Sequence, residues 1–212
     1  MKAVYKDKAH HTKFHLFLLF IVLVVLIWSL IKPKTYSDWL ADGGPIVVGL
    51  IIVIAVYPRF QFTSLSYVII AILSILEFIG AHYTFSEVPL FDWIKEEYGL
   101  KRNDYDRLGH FMKGFSTIVI REILVRKAHI QIGAWLITFT MSILMAIAAL
   151  YEIAEMLTSI ITSGSQFAQD FLAVQNDPFD SEWDMTMALI GSIVGLLLLS
   201  KWHNKLLKQL KE

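Results

Sequence analysis

Long apolar runs separated by short polar connections dominate the chain. A helix that crosses a bilayer needs about 20 mostly apolar residues, and six runs are close to that length. They lie near residues 14–31, 43–57, 65–83, 105–125, 130–157 and 183–200. The pattern predicts an all-α fold, a polytopic membrane helical bundle with six transmembrane helices, in which residues 1–212 form a single integral membrane domain.

Two of these runs depart from a plain span. The second is short because Pro58 closes it, and Pro45 is tolerated in the first turn of a helix, so this span is expected to start as early as Trp39 or to cross by a thin, tilted path. The fourth is interrupted by Asp104, Asp106, Arg107, His110 and Lys113. Hydropathy alone would make it a surface helix and leave five spans.

The distribution of basic residues favours six spans. Lysine and arginine in short loops are strongly biased to the cytoplasmic side. With six spans, twelve of them fall on one side and five on the other. Removing the fourth span would move the final cluster of Lys201, Lys205, Lys208 and Lys211 to the outside. We therefore expect a multi-pass protein of the cytoplasmic (inner) membrane with both termini in the cytoplasm.

Composition narrows the function classes. Hydrophobic residues make up 56% of the chain and charged residues 18%, so the chain needs lipid around it, and membrane lipids are its expected partners. A formal net charge of zero gives no reason to expect a nucleic-acid partner, and the absence of cysteine excludes disulfides and thiolate metal sites. The first run resembles a signal sequence, but Trp28, Lys32 and Pro33 make a poor cleavage site, which predicts a retained helix. The oligomeric state is left open.

Ionisable residues inside spans suggest function, because they are costly there. Glu77 is expected about 9 Å below the outer end of the third helix, with His82 at the mouth. Three other helices carry such residues near the same level: Asp104, Asp106, Arg107, His110 and Lys113 on the fourth, Glu152 and Glu155 on the fifth, and Asp177, Asp180 and Asp184 at the start of the sixth. Four helices thus converge on one membrane face.

Spacing adds to this, because residues three, four or seven apart on a helix share a face. The sets that do so are Asp106 with His110 and Lys113, Glu152 with Glu155, and Asp180 with Asp184. Carboxylates with imidazoles suit Zn²⁺, Mn²⁺ or Fe²⁺, and carboxylates with waters suit Mg²⁺ or Ca²⁺. A divalent metal (Zn, Mg or Mn) is expected, and its identity stays open. A di-iron site is disfavoured, because the paired Glu-x-x-His motifs are absent.

These residues take three candidate roles. Catalytic candidates are Asp106, His110, Glu155 and Asp184. Metal-ligand candidates are Glu77, His82, Asp106, His110 and Asp184. Substrate-binding candidates are Arg107, Lys113, Glu152, Asp177 and Asp180. Together they favour a metal-dependent hydrolase or transferase whose site opens at the outer leaflet and acts on a lipid or lipid-linked envelope substrate.

Other interpretations stay open. A proton- or cation-coupled transporter uses the same residue types, although it needs a polar path through both halves. A non-catalytic envelope scaffold or assembly factor would use them to hold helices together. Asp177 and Asp180 also suit the capping of the sixth helix. Glu122 with Arg126 suits an ion pair at the cytoplasmic rim, and His10, His11 and His15 suit a solvated interface.

The outer connections have helix signals of their own. Residues 84–104 contain a short amphipathic pattern built on Phe91, Trp93, Ile94 and Tyr98. Within residues 158–182, Ser163-Gly164 is a plausible end for the fifth helix, and Asp177-Pro178 an N-cap followed by proline at the start of the sixth.

The segment Tyr105-Asp106-Arg107-Leu108-Gly109-His110-Phe111 resembles the YjdF-type inner-membrane proteins, a family without an assigned function. The resemblance extends over residues 40 to 200. It includes Glu77-Phe78-Ile79-Gly80-Ala81-His82, Tyr151-Glu152-Ile153-Ala154-Glu155, Asn176-Asp177-Pro178-Phe179-Asp180 and Trp183-Asp184-Met185. It implies the topology and the site residues but no reaction.

A weaker resemblance is to VanZ-like membrane proteins, in which Asp106 to His110 takes the place of an Asp-Lys-x-x-His helix and Asp184, Gly191 and Gly195 that of a later helix. Arg107 replaces the lysine, and Ala188 stands where asparagine is expected.

Overall fold

The computed structural model describes residues 2–161, 175 and 177–210, with the side chains of 2–10 and 159 left out. Within them the chain forms eight helices. They are α1 (Lys2–Ser29), α2 (Tyr36–Val56), α3 (Ser64–Tyr83), α4 (Pro89–Tyr98), α5 (Tyr105–Gly114), α6 (Thr117–Arg126), α7 (Ala134–Ile161) and α8 (Asp180–Gln209). The predicted helix end at Ser163-Gly164 lies outside the described residues.

Five of these helices are long and apolar enough to cross a membrane. The spans are His11–Ser29, Tyr36–Val56, Ser64–Tyr83, Ala134–Thr158 and Asp180–Gln209. Large hydrophobic side chains such as Phe20, Ile51, Leu150 and Leu197 are exposed on their outer surfaces, as expected of helices that face lipid. The described part of the chain is therefore all-helical, and the protein is multi-pass.

The second span starts earlier than residue 43. Thr35 caps α2 by accepting a hydrogen bond from the Asp38 backbone N–H at 3.1 Å. Pro45 is accommodated inside the helix. The cap moves Asp38 and Asp42, which are both almost fully buried, into the span.

The fourth apolar run forms two ten-residue helices in place of one continuous helix. At the break, the N–H groups of Phe115 and Ser116 bond three residues back, to Met112 and Lys113, at 2.9 and 3.0 Å. The Thr117 hydroxyl donates to the Gly114 carbonyl at 3.0 Å. A tightened, side-chain-capped turn thus satisfies the backbone groups that the break releases.

Contacts along the helices give their directions. Tyr105 on α5 donates to the Leu76 carbonyl near the end of α3, and Glu122 on α6 accepts from Ser66 near its start, so α5 and α6 together run antiparallel to α3. His203 near the end of α8 also contacts Glu122. The same end holds the start of the first span, because His11 lies 3.2 Å from Ser64. We call this the termini end, and the opposite end, where α8 begins, the site end.

The amphipathic segment predicted in residues 84–104 is a helix, α4, as expected. It is held at the site end by Asn103, which is fully buried. The Asn103 amide donates to the Val88 carbonyl and to Asp92 at 3.1 and 3.0 Å, and its oxygen accepts from the Tyr105 N–H at 3.1 Å. Asn103 therefore fixes the start of α5 relative to α4.

Candidate functional site

Three buried side chains from two helices meet at the site end. Asp106 and His110 lie one turn apart on α5, and Asp184 lies near the start of α8. One potential ligand atom from each lies within 4.8 Å of the other two. Two carboxylates and an imidazole on rigid helices are a common ligand set for a divalent cation. The structure thus brings together three of the five predicted metal ligands.

Glycines allow α5 and α8 to approach closely enough for Asp106, His110 and Asp184 to meet. A Cβ added at Gly191 would lie 1.9 Å from the Phe111 carbonyl oxygen, and one at Gly114 would lie 2.5 Å from the Ala188 carbonyl oxygen. Small residues permit such backbone contact between membrane helices. Asp184 is two turns before Gly191 on α8, so this packing sets its distance from Asp106 and His110.

Carboxylates from α7 surround the trio. Glu152 Oε1 lies 3.9 Å from His110 Nδ1, and half-buried Glu155 interacts electrostatically with Asp106 and Glu152. Glu152 Oε1 and Asp184 Oδ1 are buried and have no hydrogen-bond partner within the described part of the chain. Buried polar atoms are normally satisfied, so such oxygens are candidate ligand atoms.

Lys113 is a half-buried cation of the site. Its ammonium lies 3.4 Å from Glu77 Oε1 and 4.6 Å from the ring centroid of Tyr151. Glu77, predicted as a metal ligand, is thus paired with a lysine from α5. Lys113, predicted to bind substrate, is enclosed by a carboxylate and an aromatic face.

Sequence reasoning missed Asp42. It is 4% exposed, and it interacts electrostatically with Glu77, Lys113 and Asp106. The signal was Thr35 with Asp38, a cap that starts α2 six residues before Asp42. We call Asp42, Glu77, Asp106, His110, Lys113, Glu152, Glu155 and Asp184 the acidic cluster.

Charge is unbalanced within the acidic cluster. It holds six carboxylates and one lysine. Buried charges without partners are strongly unfavourable, and ions or protons must offset them. A cation bound by the imidazole and the unpartnered carboxylate oxygens would offset this negative charge.

An outer layer of ion pairs, the arginine rim, covers the cluster. It consists of Arg102, Asp104, Arg107, Asp177 and Asp180. Arg102, 6% exposed, pairs with Asp180, and Arg107 Nη2 lies 2.5 Å from Asp177 Oδ2. Burial lowers the pKa of Arg102, but the hydrogen bond and charge of Asp180 outweigh it, so this pKa lies above its usual range and Arg102 stays a cation.

The contacts of the arginine rim bear on the two roles predicted for Asp177 and Asp180, which are substrate binding and capping of the last helix. Asp177 accepts a bond from the Phe179 N–H at 3.0 Å, so it shapes the turn as well as pairing with Arg107. Asp180 lies inside the first turn, and its carboxylate is used by Arg102. Asp177 is therefore paired with Arg107 and Asp180 with Arg102, and the N-cap of α8 is Phe179, not Asp177 as predicted.

The structure does not bring His82 to the trio. Its Nδ1 lies 3.1 Å from the Ser29 carbonyl oxygen, and its ring packs on Trp28 with centroids 4.4 Å apart. Five residues separate it from Glu77, which places the two on different helix faces. His82 joins α3 to α1.

The sequence predicted that Glu122 lies at the cytoplasmic rim, and this is wrong. Glu122 is fully buried at the centre of a second polar cluster. It accepts bonds from the Thr63 N–H at 2.8 Å and from Ser66 at 2.6 Å, and it contacts His203 at 3.3 Å. The predicted pair with Arg126 exists, at 2.5 Å. We call Glu122, Thr63, Ser66, Arg121, Arg126 and His203 the Glu122 cluster.

The long apolar helices show a multi-pass membrane protein, and they enclose a buried site of carboxylates and an imidazole. A family model described as "Predicted membrane protein (DUF2238)" matches residues 14–205. The inner membrane protein YjdF of Escherichia coli (strain K12) is 32% identical over 188 residues, which cover 88% of each chain. No solved structure matches the chain.

The chain belongs to this DUF2238 family of membrane proteins. The resemblance to YjdF-type proteins is therefore confirmed, and with it an inner-membrane, multi-pass location. Neither match supports the resemblance to VanZ-like proteins.

Proposed function

We propose that the acidic cluster binds a divalent cation and that the protein is a metal-dependent hydrolase or transferase of a lipid or lipid-linked envelope substrate. The observation that carries this is the convergence of Asp106, His110 and Asp184, with ligand atoms within 4.8 Å of one another. The unpartnered oxygens of Asp184 and Glu152 and the excess of carboxylates support it.

The surrounding side chains suit acid and base roles. A divalent cation would activate water and polarise a phosphoryl or carbonyl oxygen. Glu155 is half-buried and is repelled by the charges of Asp106 and Glu152, which suits it to donate a proton to a leaving group. Lys113 and the arginine rim supply positive charge for an anionic group, once their ion pairs exchange.

The topology of the proposal is six crossings with both termini in the cytoplasm. It rests on the pairing of α5 and α6 with α3 from Leu76 to Ser66, which covers about half the length of that membrane-crossing helix. The bias of lysine and arginine supports the orientation. In that orientation the site end faces the outer leaflet.

Metal analysis tests the site. Purified protein is stripped with a chelator, dialysed against Mg²⁺, Mn²⁺ or Zn²⁺, and analysed for bound ion per chain. We expect one of these ions to be retained, and to be lost in Asp106→Asn and His110→Gln. Glu96→Gln, on the exposed side of α4, is the matched control. Equal metal content in all four proteins would refute the site.

A cation-coupled transporter is the second candidate, because polar groups also occupy the other half of the bundle. The Glu122 cluster is buried at the termini end. Between it and Lys113 lie the break between α5 and α6 and two buried hydroxyl residues, Thr117 on α6 and Ser192 on α8. Broken helices form ion sites in many transporters. Uptake of the bound ion into proteoliposomes, abolished in Glu122→Gln protein that is shown to reconstitute in the folded state, would favour this candidate over the enzyme.

A further inference from the structure

A gap lies between α1 and α2 on the side away from the acidic cluster. Both helices pack along α3, and they contact each other little. At the site end they are joined by the Trp39 indole, which donates to Ser29 at 3.0 Å. Toward the termini end a cavity of about 190 Å³ lies between them. We call it the α1–α2 groove.

The walls of the groove are apolar, and α3 forms its floor. They include Leu19, Val22, Leu50, Val53, Ile70 and Ala71. All of these lie within helices long enough to span the membrane, so hydrocarbon is the solvent around the groove. An unfilled apolar gap loses dispersion contacts on its lining, and acyl chains are the groups at hand to fill it.

One end of the groove is polar. His15 is buried, contrary to the solvated position expected from the sequence. Its Nε2 lies 2.9 Å from Ser64 Oγ and its Nδ1 lies 3.1 Å from Tyr57 Oη. This end is where the first span begins, α2 ends and α3 starts, which is the level of lipid headgroups.

We propose that the α1–α2 groove binds one acyl chain of an anionic phospholipid from the leaflet at the termini end. The chain would lie against Ala71 and Leu50, and the ester and phosphate would meet His15, Ser64 and Tyr57. Arg59 directly follows Pro58, a lining residue, and supplies the complementary charge. This site is separate from the acidic cluster and does not depend on its chemistry.

Native mass spectrometry of the protein released from nanodiscs of equal phosphatidylglycerol and phosphatidylcholine tests the proposal. We expect one retained lipid per chain, enriched about fivefold in phosphatidylglycerol, the effect of roughly one basic residue near an anionic headgroup. Ala71→Phe fills the floor of the groove and should remove the lipid. Ala55→Phe, the same change at an exposed α2 position outside the lining, should retain it.

A second pair of variants tests the headgroup. Arg59→Gln should keep a bound lipid but lose the preference for phosphatidylglycerol. Lys13→Gln removes the same charge from an exposed residue about 200° around α1 from His15, and should keep the preference. Equal effects of the two would show general surface attraction and overturn the headgroup contact.

Three results would overturn the groove itself: lipid retained by Ala71→Phe, lipid lost equally in Ala55→Phe, or a dimer without bound lipid, which would make a second copy the occupant. If Ala71→Phe does not elute as a monodisperse protein, Val53→Phe on the side wall replaces it.

Discussion

Glu122 on α6 and His203 on α8 are both fully buried, and the His203 Nε2 lies 3.3 Å from a carboxylate oxygen of Glu122. The same carboxylate accepts bonds from Thr63, the N-cap of α3. One side chain therefore fastens three helices at the termini end.

Glu122→Gln should destabilise the protein. It removes the charge that compensates Arg126 and leaves buried donors with a weaker acceptor, a change on the order of 3 kcal/mol for a buried pair. Thermal unfolding in detergent measures it. Glu182→Gln, at an exposed position on α8, should melt like the native protein, and equal melting of both variants would contradict a structural role for Glu122.

Gly191→Ala should also destabilise, because the new Cβ would overlap the Phe111 carbonyl. Forcing α5 from α8 is overpacking, which costs about 1–3 kcal/mol. The variant should also bind metal more weakly, since Asp184 moves away from His110. Gly49→Ala on α2, where a Cβ meets nothing within 4 Å, is the control. A Gly191→Ala protein that melts and binds metal normally would show that the two helices separate freely.

The six-crossing topology predicts that the two ends of the bundle face opposite compartments. The chain has no cysteine, so single cysteines can be introduced at Glu97 on α4 and at Gln209 near the end of α8. An impermeant thiol reagent added to intact cells should label Glu97→Cys and leave Gln209→Cys unlabelled until the membrane is opened. Labelling of both from outside would refute the orientation.

The sequence predicted much of this arrangement, because alternating helix directions and helical spacing are local properties. They placed Asp106, His110 and Asp184 at one level and on compatible faces, and the structure brings these three together. The break between α5 and α6 was not predicted. It lies where Gly114 packs against the α8 backbone, and a hydropathy profile carries no information on such a contact.

The failures have a common cause, since each concerns contacts between distant segments. His82 faces α1 and not the trio, because it lies five residues from Glu77 and so on a different face of α3. Glu122 formed its expected i,i+4 pair, but its burial depends on Thr63 and His203, 59 and 81 residues away. Asp42 was missed because the apolar run was taken to begin just after it.

Asp184→Asn gives the sharpest test of the acidic cluster, because the proposal predicts opposite effects with and without metal. In chelator, the variant should melt at a higher temperature than the native protein, since the change removes a buried carboxylate that Asp106, Asp180 and Glu152 repel. With metal, the native protein should be stabilised and the variant much less. A ligand that binds only the folded state raises the free energy of unfolding by RT ln(1 + [L]/Kd), so a variant that binds metal more weakly gains less. Glu182→Gln, two residues earlier and exposed, should follow the native protein in both conditions. If Asp184→Asn instead lowers the melting temperature in chelator and responds to metal as the native protein does, Asp184 serves only to hold α8 against α5, and the metal site is refuted.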